Sequence, residues 1–289
     1  MKIAVASGKG GTGKTTVSIN LYYFIEKFFN SAVQLVDCDV EEPNDALFFS
    51  HPEKKEEKEV FQSVPKINTE SCTFCKKCAD WCEFNAISVV KAIPFAEVNP
   101  DLCHSCGACL PACNFDAITE YNQLLGKITH FDTGIGHGLI EGRLKIGSSM
   151  QTSLIKKVKK EPGPEVEIVI FDAPPGTSCP VVETVADADF VILVTEPTPF
   201  GLHDLKITVE LLMELQKPFG VIINKAGLGN RDVYQFLIQY NIDILGEIPF
   251  NKSYAGKYAS GSILKNIPKE IENIYKELIQ KLELKLAVL

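Results

Sequence analysis

The sequence predicts an α/β protein: a mainly parallel sheet covered by helices on both faces, with a small α+β unit rich in cysteine set into it. Three observations carry this. Short apolar strand segments alternate with helix-length segments over most of the 289-residue chain. The first run leads into a glycine-rich loop and then a helix. The alternation breaks once, between about residues 42 and 120, where the chain turns polar and then cysteine-rich.

In order, Lys2–Ser7 reads as a buried strand, and a helix is expected from about Lys14 to Phe28. Ala32–Asp37 reads as a second strand with an acidic end. Residues 42–65 are polar and contain Glu53-Lys54-Lys55-Glu56-Glu57-Lys58-Glu59, which predicts a solvated linker. Further strands are expected at Lys127–Asp132, Leu139–Lys145, Val166–Asp172, Phe190–Thr195, Phe219–Asn224 and Ile242–Glu247. Helices are expected at Gln151–Lys160, near 201–216 and 230–240, and from about 267. Ile271, Ile274, Leu278 and Leu282 recur at helical spacing, so the last helix is expected to pack on the sheet. The domain division expected is 1–60 with 121–289 for the sheet, and 61–120 for the insertion.

A net charge of −8 argues against a general nucleic-acid surface, which needs clustered Lys and Arg. No signal peptide leads the chain and no apolar stretch approaches the length of a membrane span, so a cytoplasmic protein without a stable membrane anchor is expected. Ten cysteines would suggest disulfides in a secreted chain, but eight at ligand spacing point to metal.

Gly8-x4-Gly13-Lys14-Thr15 sits between a strand and a helix, the context a phosphate-binding loop requires. Backbone N–H groups from Gly8, Gly10, Gly11, Thr12 and Gly13 would cradle phosphates at the positive end of the helix. Lys14 would reach the β- and γ-phosphates, and the Thr15 hydroxyl would hold Mg²⁺. Gly8-x-Gly10-x-x-Gly13 with Asp37 downstream also fits a dinucleotide fingerprint. The Lys-Thr pair has no role there, and a second acidic strand end at Asp172 suits a Mg²⁺-dependent triphosphate site better.

Cys72, Cys75, Cys78 and Cys82 read C-x2-C-x2-C-x3-C, and Cys103, Cys106, Cys109 and Cys113 repeat that spacing 31 residues later. The flanks repeat too: Ile67-Asn68-x-Glu70 matches Val98-Asn99-x-Asp101, and Ala86-Ile87 matches Ala117-Ile118. Structural zinc uses four ligands with a longer gap between pairs, so two such runs indicate iron–sulfur clusters. The runs resemble those of bacterial two-cluster ferredoxins, in which the last cysteine of each run ligates the other cluster. That resemblance implies two 4Fe–4S clusters, one on Cys72, Cys75, Cys78 and Cys113, the other on Cys103, Cys106, Cys109 and Cys82. Glu83 and Asn114 follow the runs where those ferredoxins carry proline, which bears on the surroundings of the clusters rather than their ligands. Trp81 and Phe84 are expected to shield a cluster from water, and His104 to be an exposed loop residue.

Lys9-Gly10-Gly11-Thr12-Gly13-Lys14-Thr15-Thr16 resembles the variant Walker A loop of the MinD/ParA/Mrp and nitrogenase iron protein group of P-loop ATPases. In that group the early lysine, here Lys9, reaches the partner's phosphates in an ATP-dependent homodimer. Val36-Asp37-Cys38-Asp39 resembles the first switch, which gives Asp39 the attacking water and the metal. Phe171-Asp172-Ala173-Pro174-Pro175-Gly176-Thr177 resembles Walker B and the second switch; Asp172 would bind Mg²⁺ through water and the Gly176 amide would sense the γ-phosphate. Asn224 resembles the base-contacting asparagine. Cys38 is expected to be a buried apolar residue. Cys179 stands at the spacing where the nitrogenase iron protein places a cluster-bridging cysteine, but the second cysteine which that enzyme uses has no counterpart.

The resemblance covers nearly the whole chain and implies ATP or ADP, Mg²⁺ and two clusters as cofactors. The function expected is ATP-gated electron transfer through the clusters. One alternative is cluster carriage or assembly of the Mrp type, with an apo-protein client. The other alternative is a MinD-like regulatory or positioning ATPase with a redox sensor. The redox partner is not legible.

Overall fold

A computed structural model describes residues 1–29 and 31–286. The chain opens with β1 (Lys2–Ala6), α1 (Lys14–Phe29) and β2 (Val33–Asp37), followed by a 3-10 turn at Asp45–Phe48. The middle section holds β3 (Glu53–Ile67), α2 (Lys77–Asp80), β4 (Ile87–Val90), β5 (Phe95–Val98), α3 (Cys109–Ala112), β6 (Ile118–Asp132), β7 (Leu139–Leu144) and α4 (Gln151–Val158). The remainder is β8 (Ile168–Asp172), α5 (Cys179–Ala186), β9 (Phe190–Thr195), α6 (Pro199–Glu214), β10 (Phe219–Ala226), α7 (Asp232–Gln239), β11 (Ile244–Pro249), α8 (Lys252–Ala259) and α9 (Lys269–Leu286).

The strands form one nine-stranded sheet in the order β11-β10-β9-β1-β8-β2-β7-β6-β3, plus the hairpin β4-β5. Pairing from β11 through to β7 is parallel. Central strands such as β2 and β9 are buried along their whole length, because a parallel sheet covered on both faces offers no solvent side.

Two compact units divide the chain. The first comprises Met1–Glu57, Ile128–Arg143 and Ile155–Leu289; the second comprises Lys58–Lys127 and Leu144–Leu154. The second unit is thus wider than the expected 61–120 and takes in a further short segment. The core of the first unit gathers Tyr22, Phe24, Leu35, Ile170 and Ile192 with Ile271, Tyr275, Leu278 and Leu282 of α9. The C-terminal helix therefore buries its apolar stripe in this core, as its spacing predicts.

The expected linker at 42–65 is corrected. Its second half is β3, the outermost strand of the sheet, and its charged run is exposed. An edge strand satisfies one side of its backbone on a neighbour and leaves its side chains in water, so polarity does not argue against it. Lys55 lies 3.4 Å from Asp132 of β6 and 2.9 Å from Glu53. β6 likewise begins well before the expected Lys127–Asp132 strand. The turn at Asp45–Phe48 and the helices α5 and α8 are additions that the sequence pattern does not announce.

Within the second unit the sequence repeat is a structural one. The Asn68 amide donates to the Ala117 carbonyl at 2.8 Å, and the Asn99 amide to Ala86 at 2.7 Å, so each half ties to the other. Positive φ recurs at matched positions, Phe74 with Ser105, Lys76 with Gly107 and Asn85 with Asp116. The Cys72 sulfur accepts the Phe74 amide at 3.4 Å and the Cys103 sulfur accepts Ser105 at 3.5 Å.

Candidate functional site

In the first unit the site forms at the carboxyl ends of β1, β2 and β8, where an open parallel sheet leaves a crevice. The loop Gly8–Gly13 turns into α1, whose first residue is Lys14. Gly13 has φ of +94°, and a Cβ there would stand 2.1 Å from Asn224 Nδ2, so only glycine fits. Asn224 donates from Nδ2 to the Thr12 carbonyl at 2.7 Å. The Thr12 hydroxyl is buried without a partner among the described residues.

Asp37 and Asp172 pair in register on adjacent strands. Asp172 accepts three side-chain hydrogen bonds: Lys14 Nζ at 2.9 Å and Ser18 Oγ at 2.7 Å on Oδ1, and Thr15 Oγ1 at 2.7 Å on Oδ2. Asp37 instead holds backbone, accepting the amides of Asp39 at 3.0 Å, Asn44 at 2.9 Å and Asp45 at 3.1 Å. Burial pushes the Asp37 carboxyl up to about 8, reinforced by the neighbouring Asp172 charge. Burial opposes the charge on Lys14, but Asp172, Asp45 and Asp37 outweigh it and hold its pKa above the ordinary lysine value.

The expected Asp39 is only partly buried, and burial raises its carboxyl as well. The close group of acidic oxygens is formed by Asp37, Asp45 and Asp172, all within 4.8 Å of one another, without Asp39. The Gly176 amide donates to the Ser7 carbonyl at 3.0 Å, with φ at +100°. Lys9 pairs with Glu196 at 2.7 Å, and Lys225 takes the other Glu196 oxygen at 2.9 Å. A cavity of about 170 Å³ opens beside the loop, lined by Gly13, Thr16, Asn224, Phe250, Tyr254 and Tyr258 among others. Its apolar walls with a few polar groups suit a flat heteroaromatic ring.

In the second unit one cavity is lined by Cys72, Cys75, Cys78 and Cys113, and another by Cys82, Cys103, Cys106 and Cys109. Each thus draws three thiols from one run and the last thiol of the other. Burial pushes the Cys109 thiol up to about 11 and raises Cys78 and Cys103, so thiolates there need a cation close by. The Lys77 amide holds Cys75 below the ordinary thiol value. Trp81, Phe84 and His104 line the second cavity; Trp81 is 57% exposed, and His104 stacks on Phe84 at 3.7 Å while remaining exposed. All ten cysteines are free, Cys38 buried and Cys179 exposed.

Sequence reasoning missed Asp45, Ser18 and Glu196. Ser18 lies one helical turn after Lys14 and so faces Asp172, a signal that was available. Asp45 and Glu196 belong to no spacing rule; only the folded loops bring them in. No helix among the described residues is long and apolar enough to cross a membrane.

Comparison with known proteins agrees with this fold. An uncharacterized protein of Methanocaldococcus jannaschii is 34% identical over 98% of this chain and 96% of its own length. The cell division ATPase MinD of Pyrococcus furiosus superposes with a TM-score of 0.57 at 18% identity, covering 98% of both chains. The septum site-determining protein MinD of Pyrococcus horikoshii, solved with Mg-ADP, gives 0.57 at 18% identity over 97% of this chain and 95% of that one. Residues 3–264 match the CobQ/CobB/MinD/ParA nucleotide binding domain, and the chain belongs to that family.

Proposed function

We propose that this chain is a nucleotide-operated switch, an ATPase of the MinD/ParA type whose second unit carries two 4Fe–4S clusters as a redox sensor. The observation that carries the cluster half is the division of eight cysteines into two cavities of four. Family membership supports the nucleotide half.

The buried carboxylates and the Thr15 hydroxyl fit a hard divalent cation, and the cavity beside Asn224 fits a base. In this reading Lys14 leaves Asp172 for the β- and γ-phosphates, while Thr15 and Asp172 hold Mg²⁺. The amides of Gly8, Gly10, Gly11, Thr12, Gly13 and Thr16 cradle the phosphates. Asp39 orients the attacking water. The Gly176 amide lets go of Ser7 to meet the γ-phosphate. Lys9 leaves Glu196 and reaches a second copy of this chain across an ATP-bound dimer. Hydrolysis releases both switch loops.

In the second unit, Cys72, Cys75, Cys78 and Cys113 would hold one cluster, and Cys103, Cys106, Cys109 and Cys82 the other. Each cluster supplies a one-electron redox centre when bound. The chain contributes the thiolates, and amides such as those of Phe74 and Ser105 that donate to sulfur. The cysteine runs follow the first switch in the chain, after the turn Asp45–Phe48 and β3.

A second reading is ATP-gated electron transfer. It is favoured by one observation: a single chain provides all eight thiols, so the clusters are held rather than shared. Carriage of the Mrp type would rest on Cys179 alone.

Anaerobic reconstitution decides among these. ATP hydrolysis that changes with cluster oxidation state supports the sensor. A reduction potential that moves with MgATP supports electron transfer. Iron that passes to an apo-ferredoxin supports carriage. Protein that takes up no iron removes the cluster half altogether.

A further inference from the structure

Three buried carboxyls lie beside the Lys14 ammonium, and they are not equally satisfied. Asp37, Asp45 and Asp172 are each at most 1% exposed, and their oxygens lie within 4.8 Å of one another. Asp172 accepts Lys14, Thr15 and Ser18, and Asp37 accepts three backbone amides. Neither oxygen of Asp45 has a hydrogen-bond donor among the described residues. A structural carboxylate at such depth is normally paired or hydrogen-bonded. Lys14 is matched to Asp172, and burial beside Asp37 and Asp172 raises the Asp45 carboxyl well above the ordinary carboxylate value.

We propose that Asp45 is an acidic ligand of the divalent cation at the phosphate loop, delivered by the turn Asp45–Phe48 that follows β2. This rests on the MgATP reading above and adds a residue to that site. Carboxylate oxygen is the donor a hard divalent cation takes. Asp45 lies beside Asp172, the partner of the Thr15 hydroxyl, and has both oxygens free for that purpose. The turn then registers whether the cation is present. Phe48, at its end, packs on Tyr258 with ring centroids 4.8 Å apart, and Tyr258 also lines the cavity beside Asn224. Cation and base would therefore be sensed by the two ends of one short path.

The test uses the full chain and Mn²⁺ as the probe, with free Mn²⁺ counted by electron paramagnetic resonance, with and without ADP. Asp45→Asn is expected to weaken Mn²⁺ binding about tenfold or more. It is also expected to shrink the rise in melting temperature that Mn²⁺ produces. Asp45→Asn binding Mn²⁺ within about twofold of wild type would overturn the proposal and leave the carboxyl held by a proton. Should that variant not fold, Asp45→Ser is judged by the same ratio. The wild-type chain gives an independent reading: Mn²⁺ should slow amide exchange across residues 44–48, and unchanged exchange there also overturns it. Wild-type protein that binds Mn²⁺ but never ADP would refute the MgATP reading while the Asp45→Asn ratio still decides this one. Wild-type protein that binds neither refutes both.

Discussion

The two units hold their chemistry in opposite ways. Around the phosphate loop, side chains and amides already hold one another: Asp37 stitches the loop from Asp39 to Asp45, and Asp172 collects three donors. A large core with Tyr22, Phe24 and Tyr275 stands behind them. In the cysteine unit α2 and α3 are four residues each, and so are the hairpin strands β4 and β5. Helices that short are not stable on their own. The apolar groups around them are few, and Cys78 and Cys109 sit among them. One site is organised by side chains and amides of the protein; on the proposed reading the other would owe its order to the clusters its thiols hold.

The strongest challenge to this contrast compares protein with the proposed clusters reconstituted against protein treated anaerobically with a chelator. Without clusters, amides of β4, β5, α2 and α3 are expected to exchange at nearly unprotected rates, while β1, β8 and β9 stay protected by several orders of magnitude. Equal protection in both units would show that the cysteine unit folds without metal. Cys78→Ser and Cys109→Ser should do the same locally and lower bound iron.

Next in size is Lys14→Ala. It should cut ATP hydrolysis by at least about a hundredfold, and it should destabilise the nucleotide-free chain by about 3 kcal/mol, because it leaves buried carboxylates unpaired. Steady-state kinetics and urea unfolding read the two effects separately. Loss of activity with no loss of stability would mean the carboxylates are not charged in the resting protein.

Asn224→Ala refines the description of the nucleotide site. It removes the bond to the Thr12 carbonyl, and nucleotide affinity should fall about tenfold by titration with ADP. An unchanged affinity would place the base elsewhere than the cavity beside Tyr258.

The smallest effect concerns Glu196. Burial raises its pKa, but hydrogen bonds from Lys9 and Lys225 outweigh this and hold it below the ordinary glutamate value. A depressed carboxylate stabilises the fold above its unfolded pKa, and that contribution is lost as pH falls through the folded value. Glu196→Gln should therefore cost about 1 kcal/mol near neutrality and nothing well below about pH 4. A cost that persists in acid would mean Glu196 acts through packing.

What the sequence made legible follows the same divide. The phosphate loop, both acidic strand ends and the two cysteine runs are local patterns, so spacing alone reveals them. β3 was hidden because its charged run looks like a linker, and only its place at the sheet edge explains the composition. Asp45 was hidden for a different reason. Nothing near it in sequence marks it, and its place beside Asp37 and Asp172 arises when amide contacts to Asp37 fold the loop back on itself. Lys9 was legible as a lysine of the loop but not as the partner of Glu196, which lies far along the chain.

The outer strand β3 also governs how copies of the chain can meet. A sheet border with seven consecutive charged, exposed residues would have to strip water from them to pair with a second copy side by side, which disfavours growth of the sheet at this edge. Pairing of two copies is therefore expected to use another surface. The same residues that look least informative in the sequence keep a nine-stranded sheet from growing a tenth.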